Sequence, residues 1–423
     1  MSPAIITLII LGIMVIFFVN DKLPAGLVAM LGAGILTVMG IIEPASMFTA
    51  FAGSTIVLIT AMMVIGSALF HTGIAAKMAD VLVKVTGTSE NGIMIAFMLV
   101  SAIVSAFASG IAVVAMLLPI VIGVSQKAGV SVSRQLIPMS FAASVGCNLS
   151  LMGAASNVVV NGQLEELGFT PLGFFEISKV GIPTCIISII FFLTIGKRFL
   201  TPGDSSDKEY LAEYTGSAET IKFDPVRSVI CLTTLAIVII AMAIGSDRFP
   251  MYLIATIGAL VMVLTGCIGE KEAFKAIDLS TIFIVAGMSA VSTAMNESGG
   301  AALISNTAIK LLGEHPSKMI VLFVILVLVV LLTNAMMNTS TALLVTPLLL
   351  PIATAFDMNT QAVAIAICVA ASAPFLTPVG SGTNTLIIKP GNLKFMDFFR
   401  PGIGLTVLIL IVSMVFIPIF WPL

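Results

Sequence analysis

Twelve apolar segments follow one another along this chain and are joined by short polar links. A helix needs about 20 predominantly apolar residues to cross the hydrocarbon core of a bilayer, and most of the segments approach or exceed that length. Only 9% of the residues are Asp, Glu, Lys or Arg, too few to cover the surface of a soluble fold. The sequence therefore predicts an all-α polytopic protein in the lipid bilayer of the cell membrane. The segments are 3–19, 24–42, 53–71, 91–128, 135–167, 173–198, 227–246, 250–268, 279–296, 317–356, 360–393 and 398–421.

Bulk properties argue against several other classes. The net charge is -2 and no long basic run is present, which argues against a nucleic-acid partner. All five cysteines lie in apolar stretches without a CxxC spacing, so we expect them to pack rather than to bind metal or form disulfides. No cofactor is expected. The first segment lacks a basic region and a cleavage site, so we expect a retained span rather than a signal peptide.

The second half of the sequence repeats the first. A shift of 226 positions aligns Ser54–Ile56 with Ser280–Ile282, and a shift of 228 aligns Pro119 with Pro347. A shift of 227 aligns the pair Gly153 and Asn157 with the pair Gly380 and Asn384. This nearly constant offset predicts a duplication. We expect a first repeat over 1–200, a solvated cytoplasmic linker over 201–225 and a second repeat over 226–423.

Two of the segments, 91–128 and 317–356, are too long for one crossing and have polar or glycine-containing centres. Each is either two spans with a tight turn or a re-entrant hairpin that returns to its own side. With hairpins, each repeat contributes five transmembrane helices plus one hairpin, and the odd number of crossings inverts the second repeat. With two full crossings instead, the halves would be parallel.

The distribution of basic residues favours the inverted arrangement. With both termini extracytoplasmic, 15 of the 19 Lys and Arg residues lie in cytoplasmic loops, as the positive-inside rule requires. The four outside are Lys179, Arg248, Lys310 and Lys318. Parallel halves would move five basic residues around the linker to the outside.

Small and polar residues interrupt the segments 135–167 and 360–393, which we interpret as broken helices. Glycine and proline unwind a membrane helix there, which frees carbonyl groups for a cation and amide groups for an anion. Such residues also serve close helix packing, but two clusters at equivalent positions, each paired with a hairpin tip, favour a binding function. Inverted repeats with broken helices are typical of secondary transporters.

The charged residues indicate the coupling ion. Acids and both histidines fall near segment ends, whereas a proton-coupled carrier usually keeps a titratable side chain inside the membrane. Coupling to sodium through hydroxyl, amide and carbonyl oxygens therefore fits the sequence better than coupling to protons.

The stretches TALLVTPLLLPIA and TPVGSGTNTLIIKPGNLKFMDFFRPG resemble the divalent anion:sodium symporter family of the ion-transporter superfamily. Members carry Ser-Asn-Thr at each hairpin tip, ten residues before a proline. The corresponding residues here are Ser109–Ile111 and Met337–Thr339. A Gly-x-x-Pro-Asn-like motif in each broken helix corresponds to Gly153–Asn157 and Gly380–Asn384, with Ser156 and Thr383 in place of proline.

The resemblance implies sodium-coupled symport of a small divalent anion, sulfate or a C4-dicarboxylate, by an elevator-type homodimer. The implied sodium ligands lie at Ser105, Ser109, Gly110, Gly153, Asn157, Thr333, Met337, Asn338, Gly380 and Asn384. The implied anion contacts are Asn338, Thr339, Ser381, Gly382, Thr383, Ser109 and Ala154. Gly110 and Ile111 remove an amide and a hydroxyl that the family uses, which weakens the first sodium site and favours a less symmetric anion such as sulfate.

Other functions remain as alternatives. An arsenite-type or citrate-type permease, or an exporter or exchanger, would share the fold. An ion channel would not require inverted broken-helix pairs. A membrane-embedded enzyme needs a group of catalytic residues inside the membrane. Neither of the histidines and none of the acids is placed to form one, so we expect that the protein is not an enzyme.

Overall fold

The computed structural model describes residues 2–20, 22–200, 223–245, 248–312 and 316–423, and over these ranges the regular structure is helical without strands. Most of the predicted linker lies outside the described residues. The first half contains α1 (Pro3–Asn20), α2 (Ala25–Val38), α3 (Ser46–Thr49), α4 (Ser54–His71), α5 (Ile74–Thr86), α6 (Glu90–Ser105), α7 (Gly110–Ala128), α8 (Ser133–Gly146), α9 (Ala155–Glu166) and α10 (Ser178–Thr194). The second contains α11 (Pro225–Ile244), α12 (Met251–Leu264), α13 (Glu270–Ala276), α14 (Leu279–Glu297), α15 (Gly300–Leu312), α16 (Lys318–Thr333), α17 (Asn338–Ala355), α18 (Thr360–Ala371), α19 (Gly382–Ile388) and α20 (Phe395–Phe420).

The two halves pack on each other as equivalent partners. Helix α2 packs against α14, and its counterpart α12 packs against α4. Likewise α9 packs against α17, whereas α19 packs against α7. Each of these contacts between the halves thus has a counterpart in which the halves exchange roles, as expected for an approximate two-fold axis. The predicted all-α fold with inverted repeats is confirmed.

The two long apolar segments form hairpins. Helices α6 and α7 meet at the first tip, residues 106–109, and α16 and α17 meet at the second tip, residues 334–337. The segments after them are broken helices. The first break, residues 147–154, consists of two short 3₁₀ turns between α8 and α9, and the second break, residues 372–381, separates α18 from α19.

The apolar side chains form two cores, each built from both halves. One core is formed mainly by α6–α10 with α16–α20, and the other mainly by α1, α2 and α4 with α11, α12 and α14. Within the described ranges, seven helices are long and apolar enough to cross a membrane. Large apolar side chains are exposed on the outer helices, for example Val38 on α2 and Leu264 on α12, as expected for a surface that faces lipid.

Helices α5 and α15 lie where the apolar pattern predicted only loops. Each begins after a glycine in the left-handed region, Gly73 and Gly299, both at φ +77°. Helix α5 buries Ile74, Ala75 and Ala79 and exposes Lys77 and Lys84. An amphipathic helix with exposed lysines has no continuous apolar run, so the apolar pattern of the sequence does not indicate these two helices.

Candidate functional site

A cavity of about 420 Å³ lies where both tips and both breaks meet. We call it the central cavity. Eleven of the fifteen predicted site residues line it: Ser109, Gly110, Gly153, Ala154, Met337, Asn338, Thr339, Gly380, Ser381, Gly382 and Thr383. The other four, Ser105, Asn157, Thr333 and Asn384, are fully buried and do not line the cavity. The structure therefore brings the predicted residues of both repeats together.

Each tip is tied to the break of its own half by the same type of hydrogen bond. In the first half the Ser150 hydroxyl donates to the carbonyl oxygen of Ala106. In the second half the Thr377 hydroxyl donates to the carbonyl oxygen of Asn334 at 2.7 Å. Since the four residues occupy equivalent positions in the repeats, each tip and break form one unit.

The two asparagines of the broken-helix motifs hold the breaks in shape. The side-chain amide of Asn157 donates to the carbonyl oxygens of Cys147 and Ser150, at 3.0 and 3.4 Å. The amide of Asn384 donates to those of Pro374 and Thr377, at 2.8 and 3.2 Å. Unwinding leaves these carbonyl oxygens without helical partners, and buried backbone groups need other hydrogen-bond donors.

Two glycines allow the tips to approach the breaks closely. A Cβ atom on Gly153 would lie 2.3 Å from the carbonyl oxygen of Cys147 and 2.7 Å from that of Ser105. A Cβ atom on Gly380 would lie 2.7 Å from the carbonyl oxygen of Thr333. Each glycine therefore leaves space for carbonyl oxygens to converge, and carbonyl oxygens are suitable ligands for a small hard cation.

Four helices begin at the central cavity: α7, α9, α17 and the short α19. Their first residues carry backbone N–H groups without intrahelical partners, which attract negative charge. Among the residues that line the cavity, the only one with a charged side chain is Asp278, which is exposed and caps α14. Helix N-termini and hydroxyl groups, rather than lysine or arginine, are thus available to bind an anion.

At three equivalent positions of the tips and breaks, the second repeat carries a polar side chain and the first does not. Ser381 caps α19 and accepts a hydrogen bond from the backbone N–H of Thr383 at 3.3 Å. Ala154 occupies the equivalent position in the first repeat, and α9 has no side-chain cap. At the tips, Asn338 and Thr339 correspond to Gly110 and Ile111. At these three positions the polar side chains of the central cavity lie on the side of the second repeat.

Two serines on α8 were missed by the sequence analysis. Ser144 Oγ lies 3.2 Å from Thr383 Oγ1, and the Ser140 hydroxyl donates to Asn384 Oδ1 at 2.8 Å. The two serines are four residues apart, so they share one helix face. Only the contact between α8 and α19 assigns that face to the site, and the spacing alone does not indicate it.

Some buried oxygens have no hydrogen-bond partner within the described part of the chain. Among them are Ser105 Oγ and Asn157 Oδ1 in the first half. Their counterparts in the second half are partnered, because the Thr333 hydroxyl donates to the Ala371 carbonyl oxygen at 2.7 Å and Asn384 Oδ1 accepts from Ser140. An unpartnered buried oxygen costs free energy unless another group, such as a cation, binds it.

Comparison with known proteins gives a consistent result. The chain is 22% identical to YfbS, an uncharacterized transporter of Escherichia coli (strain K12), over 98% of each chain. It is 20% identical to the sodium-dependent dicarboxylate transporter SdcS of Staphylococcus saprophyticus, over 94% of this chain and 82% of the relative. The crystal structure of the YdaH transporter of Alcanivorax borkumensis shares the fold, with a TM-score of 0.68 at 14% identity over 99% and 98% of the two chains.

These relatives confirm the resemblance to sodium-coupled anion transporters of the ion-transporter superfamily. The model of the citrate transporter family, CitMHS, matches residues 14–247 and 241–422. Since the two matches together cover most of the chain, this membrane protein belongs to the citrate transporter family.

Proposed function

We propose that this transporter carries a small divalent anion into the cell together with sodium. The observation that carries the proposal is the pairing of two tips and two breaks around one cavity that four helices enter with their N-termini. Such a site binds an anion and cations next to each other and can be presented to either side by equivalent gates. The sodium-dependent relative supports the choice of coupling ion.

The anion binds against the second tip and the second break in this proposal. Asn338 and Thr339 contact it from the tip, and Ser381 and Thr383 contact it from the break. Ser109, Ala154 and Gly382 complete the pocket. Because the first repeat lacks polar side chains at the positions equivalent to Asn338, Thr339 and Ser381, the site holds one charged group more strongly than two separated ones. Sulfate is therefore the first candidate, and C4-dicarboxylates are the second.

The first sodium ion binds around Gly153. The carbonyl oxygens of Ser105 and Cys147 converge there, and the unpartnered Ser105 Oγ and Asn157 Oδ1 supply two more oxygens. This set compensates for the tip residues that the family pattern leads one to expect at Gly110 and Ile111. The neighbouring Ser109 and Gly110 lie at the cavity side of this ion.

The second sodium ion binds around Gly380. The carbonyl oxygen of Thr333 lies 2.7 Å from the Cβ position of Gly380, and Asn338 Oδ1 lies 3.1 Å from the Thr333 hydroxyl. Met337 contributes its backbone at the N-cap of α17, and Asn384 holds the break. Since the hydroxyl of Thr333 is engaged by Ala371, this site relies on backbone oxygens more than the first.

Alternating access is by an elevator-type motion. The core of α6–α10 and α16–α20 is distinct from the core of α1, α2, α4 and their counterparts, so the two are suited to move as separate bodies. In the proposal the body built on α1, α2, α4 and their counterparts stays fixed and forms the homodimer interface. Both termini of the chain lie on the extracytoplasmic side.

Uptake into proteoliposomes tests the proposed function. Labelled sulfate, succinate and citrate are offered with an inward sodium gradient or with choline in its place. The proposal predicts sulfate uptake that requires sodium and exceeds succinate uptake. Equal uptake in sodium and choline would contradict sodium coupling. The alternatives, a citrate-type permease and an exporter, predict citrate preference and efflux from loaded vesicles, respectively.

A further inference from the structure

A second cavity, of about 390 Å³, lies between α4, α9 and α14. We call it the closed vestibule. It is lined at α4 by Thr55 and at α14 by Val285, Ser289 and Thr293. The shift of 226 positions relates these residues to Thr281 and to Ile59, Met63 and Ser67, all of which line the central cavity. The two cavities are therefore the same region of the fold in opposite halves.

The two cavities differ in one respect. The central cavity extends from Thr281 to both tips, whereas no residue of either tip or break lines the closed vestibule. The tips are consequently accessible from the side of Thr281, where α14 begins. They are not accessible from the side of Thr55, where α4 begins. The predicted topology places the open side in the cytoplasm.

Direct contact between α9 and the first turn of α4 closes the vestibule. A Cβ atom on Gly162 would lie 2.1 Å from Thr55 Oγ1, so a larger residue here would force Thr55 to move. Next to this contact, the Ser289 hydroxyl on α14 donates to Glu166 Oε1 at 2.8 Å. The contact of Gly162 with Thr55 thus shows which positions of a broken helix and of its neighbouring helix come together when access from one side of the membrane is closed.

The equivalent positions on the open side carry a different pair. Thr55 corresponds to Thr281, but Gly162 corresponds to Lys389. Lys389 is exposed and keeps helical backbone angles, φ -64° and ψ -53°, so the equivalence of α9 and α19 extends to it. Thr281 donates its hydroxyl proton to Asp278 Oδ2 at 2.5 Å, which places an exposed carboxylate beside the expected contact point.

We propose that Lys389 forms an ion pair with Asp278 when the transporter faces the opposite side. By the two-fold relationship, α19 then packs on the first turn of α14 as α9 now packs on α4. A lysine does not pack as closely as Gly162, so its side chain extends along α14 to the N-cap carboxylate. The ion pair stabilises the state in which the cytoplasmic side is closed. In the state described here, the equivalent contact of Gly162 with Thr55 contains no charged side chain. This inference rests on the alternating access of the proposed function.

Cysteine cross-linking tests the contact in the full-length protein in membranes, in a background without native cysteines. The pair Glu166→Cys with Ser289→Cys reports the state described here. The pair Lys389→Cys with Thr281→Cys reports the opposite state and leaves Asp278 in place. A disulfide requires Cα atoms within about 7 Å, so a cross-link reports close approach of the two helices. We expect both pairs to cross-link, with opposite responses to sodium and sulfate. Absence of any Lys389–Thr281 cross-link would overturn the proposal.

Charge exchange tests the ion pair itself. Asp278→Lys and Lys389→Asp should each raise the rate of the Glu166–Ser289 cross-link several-fold, because like charges disfavour the opposite state. The double exchange should restore the original rate. Lys127→Asp, an exposed lysine at the end of α7, is the matched control and should change nothing. Unchanged rates in both single variants would overturn the proposal.

The outcomes separate this inference from the proposed function. If wild-type protein shows no sodium-dependent uptake, the proposed function fails. If uptake is sodium-dependent while the charge variants leave both cross-links unaltered, only the ion pair is wrong.

Discussion

Ser140 of the first repeat donates its hydroxyl proton to Asn384 of the second repeat at 2.8 Å, whereas no described residue donates to the side-chain oxygen of Asn157. The shift of 227 relates Ser140 to Ile367, which is fully buried in α18. The two asparagines hold their breaks by identical bonds, yet only Asn157 keeps an unpartnered side-chain oxygen. This difference is the main support for the first sodium site that we propose.

Replacing Ile367 with Ser should weaken sodium binding at the first site. The new hydroxyl would satisfy Asn157 Oδ1 and would compete with the ion for that oxygen. We expect the sodium concentration for half-maximal uptake to rise several-fold, while sulfate affinity at saturating sodium changes little. Ile367→Val is the matched control for the lost volume. Equal sodium dependence in the Ser and Val variants would remove Asn157 from the site.

Replacing Ser140 with Ala should lower stability. It leaves Asn384 Oδ1 buried without a donor, which costs about 1–3 kcal/mol. Thermal unfolding of the detergent-purified protein measures the loss. We expect a lower unfolding temperature when it is measured without sodium, because Asn384 Oδ1 then has neither a donor nor an ion. An unchanged unfolding temperature would contradict the importance of this bond.

Replacing Gly153 with Ala should abolish transport. The added Cβ would collide with two backbone carbonyl oxygens, at 2.3 and 2.7 Å, and backbone cannot move aside as a side chain can. Overpacking of this type costs about 1–3 kcal/mol and would also fill the space for the ion. Gly123→Ala in α7 is the control, because nothing lies within 4 Å of its Cβ position. Sodium-driven uptake by the Gly153 variant at the wild-type rate would refute the site.

Alanine substitutions of Asn338 and Asn334 should have different effects, the first on sulfate uptake and the second on stability. Asn338→Ala removes a proposed anion contact and should abolish sulfate uptake without lowering the unfolding temperature. Asn334→Ala removes bonds to the carbonyl oxygens of Val330 and Ala373 and to the backbone N–H of Leu376, so it should destabilise the second tip. Wild-type uptake by the Asn338 variant would contradict its assignment.

Adding polar groups to the first repeat should change the substrate preference. Ile111→Thr and Ala154→Ser place hydroxyl groups at the positions that Thr339 and Ser381 occupy in the second repeat. The combined variant should raise succinate uptake relative to sulfate uptake, because a dicarboxylate would then be held at both ends. Ala155→Val, a change at the same helix N-terminus without a hydroxyl, should not alter the ratio. An unaltered ratio in the polar variant would show that the one-sided lining does not set the preference.

Much of the fold follows from the sequence because the membrane restricts it. Apolar runs locate the spans, and the shift that aligns Asn157 with Asn384 locates both breaks. The helices α5 and α15 do not follow, since their lysines interrupt the apolar pattern. Ser140 and Ser144 do not follow either. Their role depends on which helix of the other repeat faces α8, and a pattern within one segment does not contain that information.

The most direct test of the central claim is sodium uptake driven by an anion gradient. Proteoliposomes with equal sodium on both sides receive radiolabelled sodium and an inward sulfate gradient, with the membrane potential clamped. Coupled binding acts in both directions, so we predict that sulfate drives net sodium accumulation in the wild type and that Asn338→Ala shows none. Sulfate entry without any sodium accumulation would contradict sodium-coupled symport.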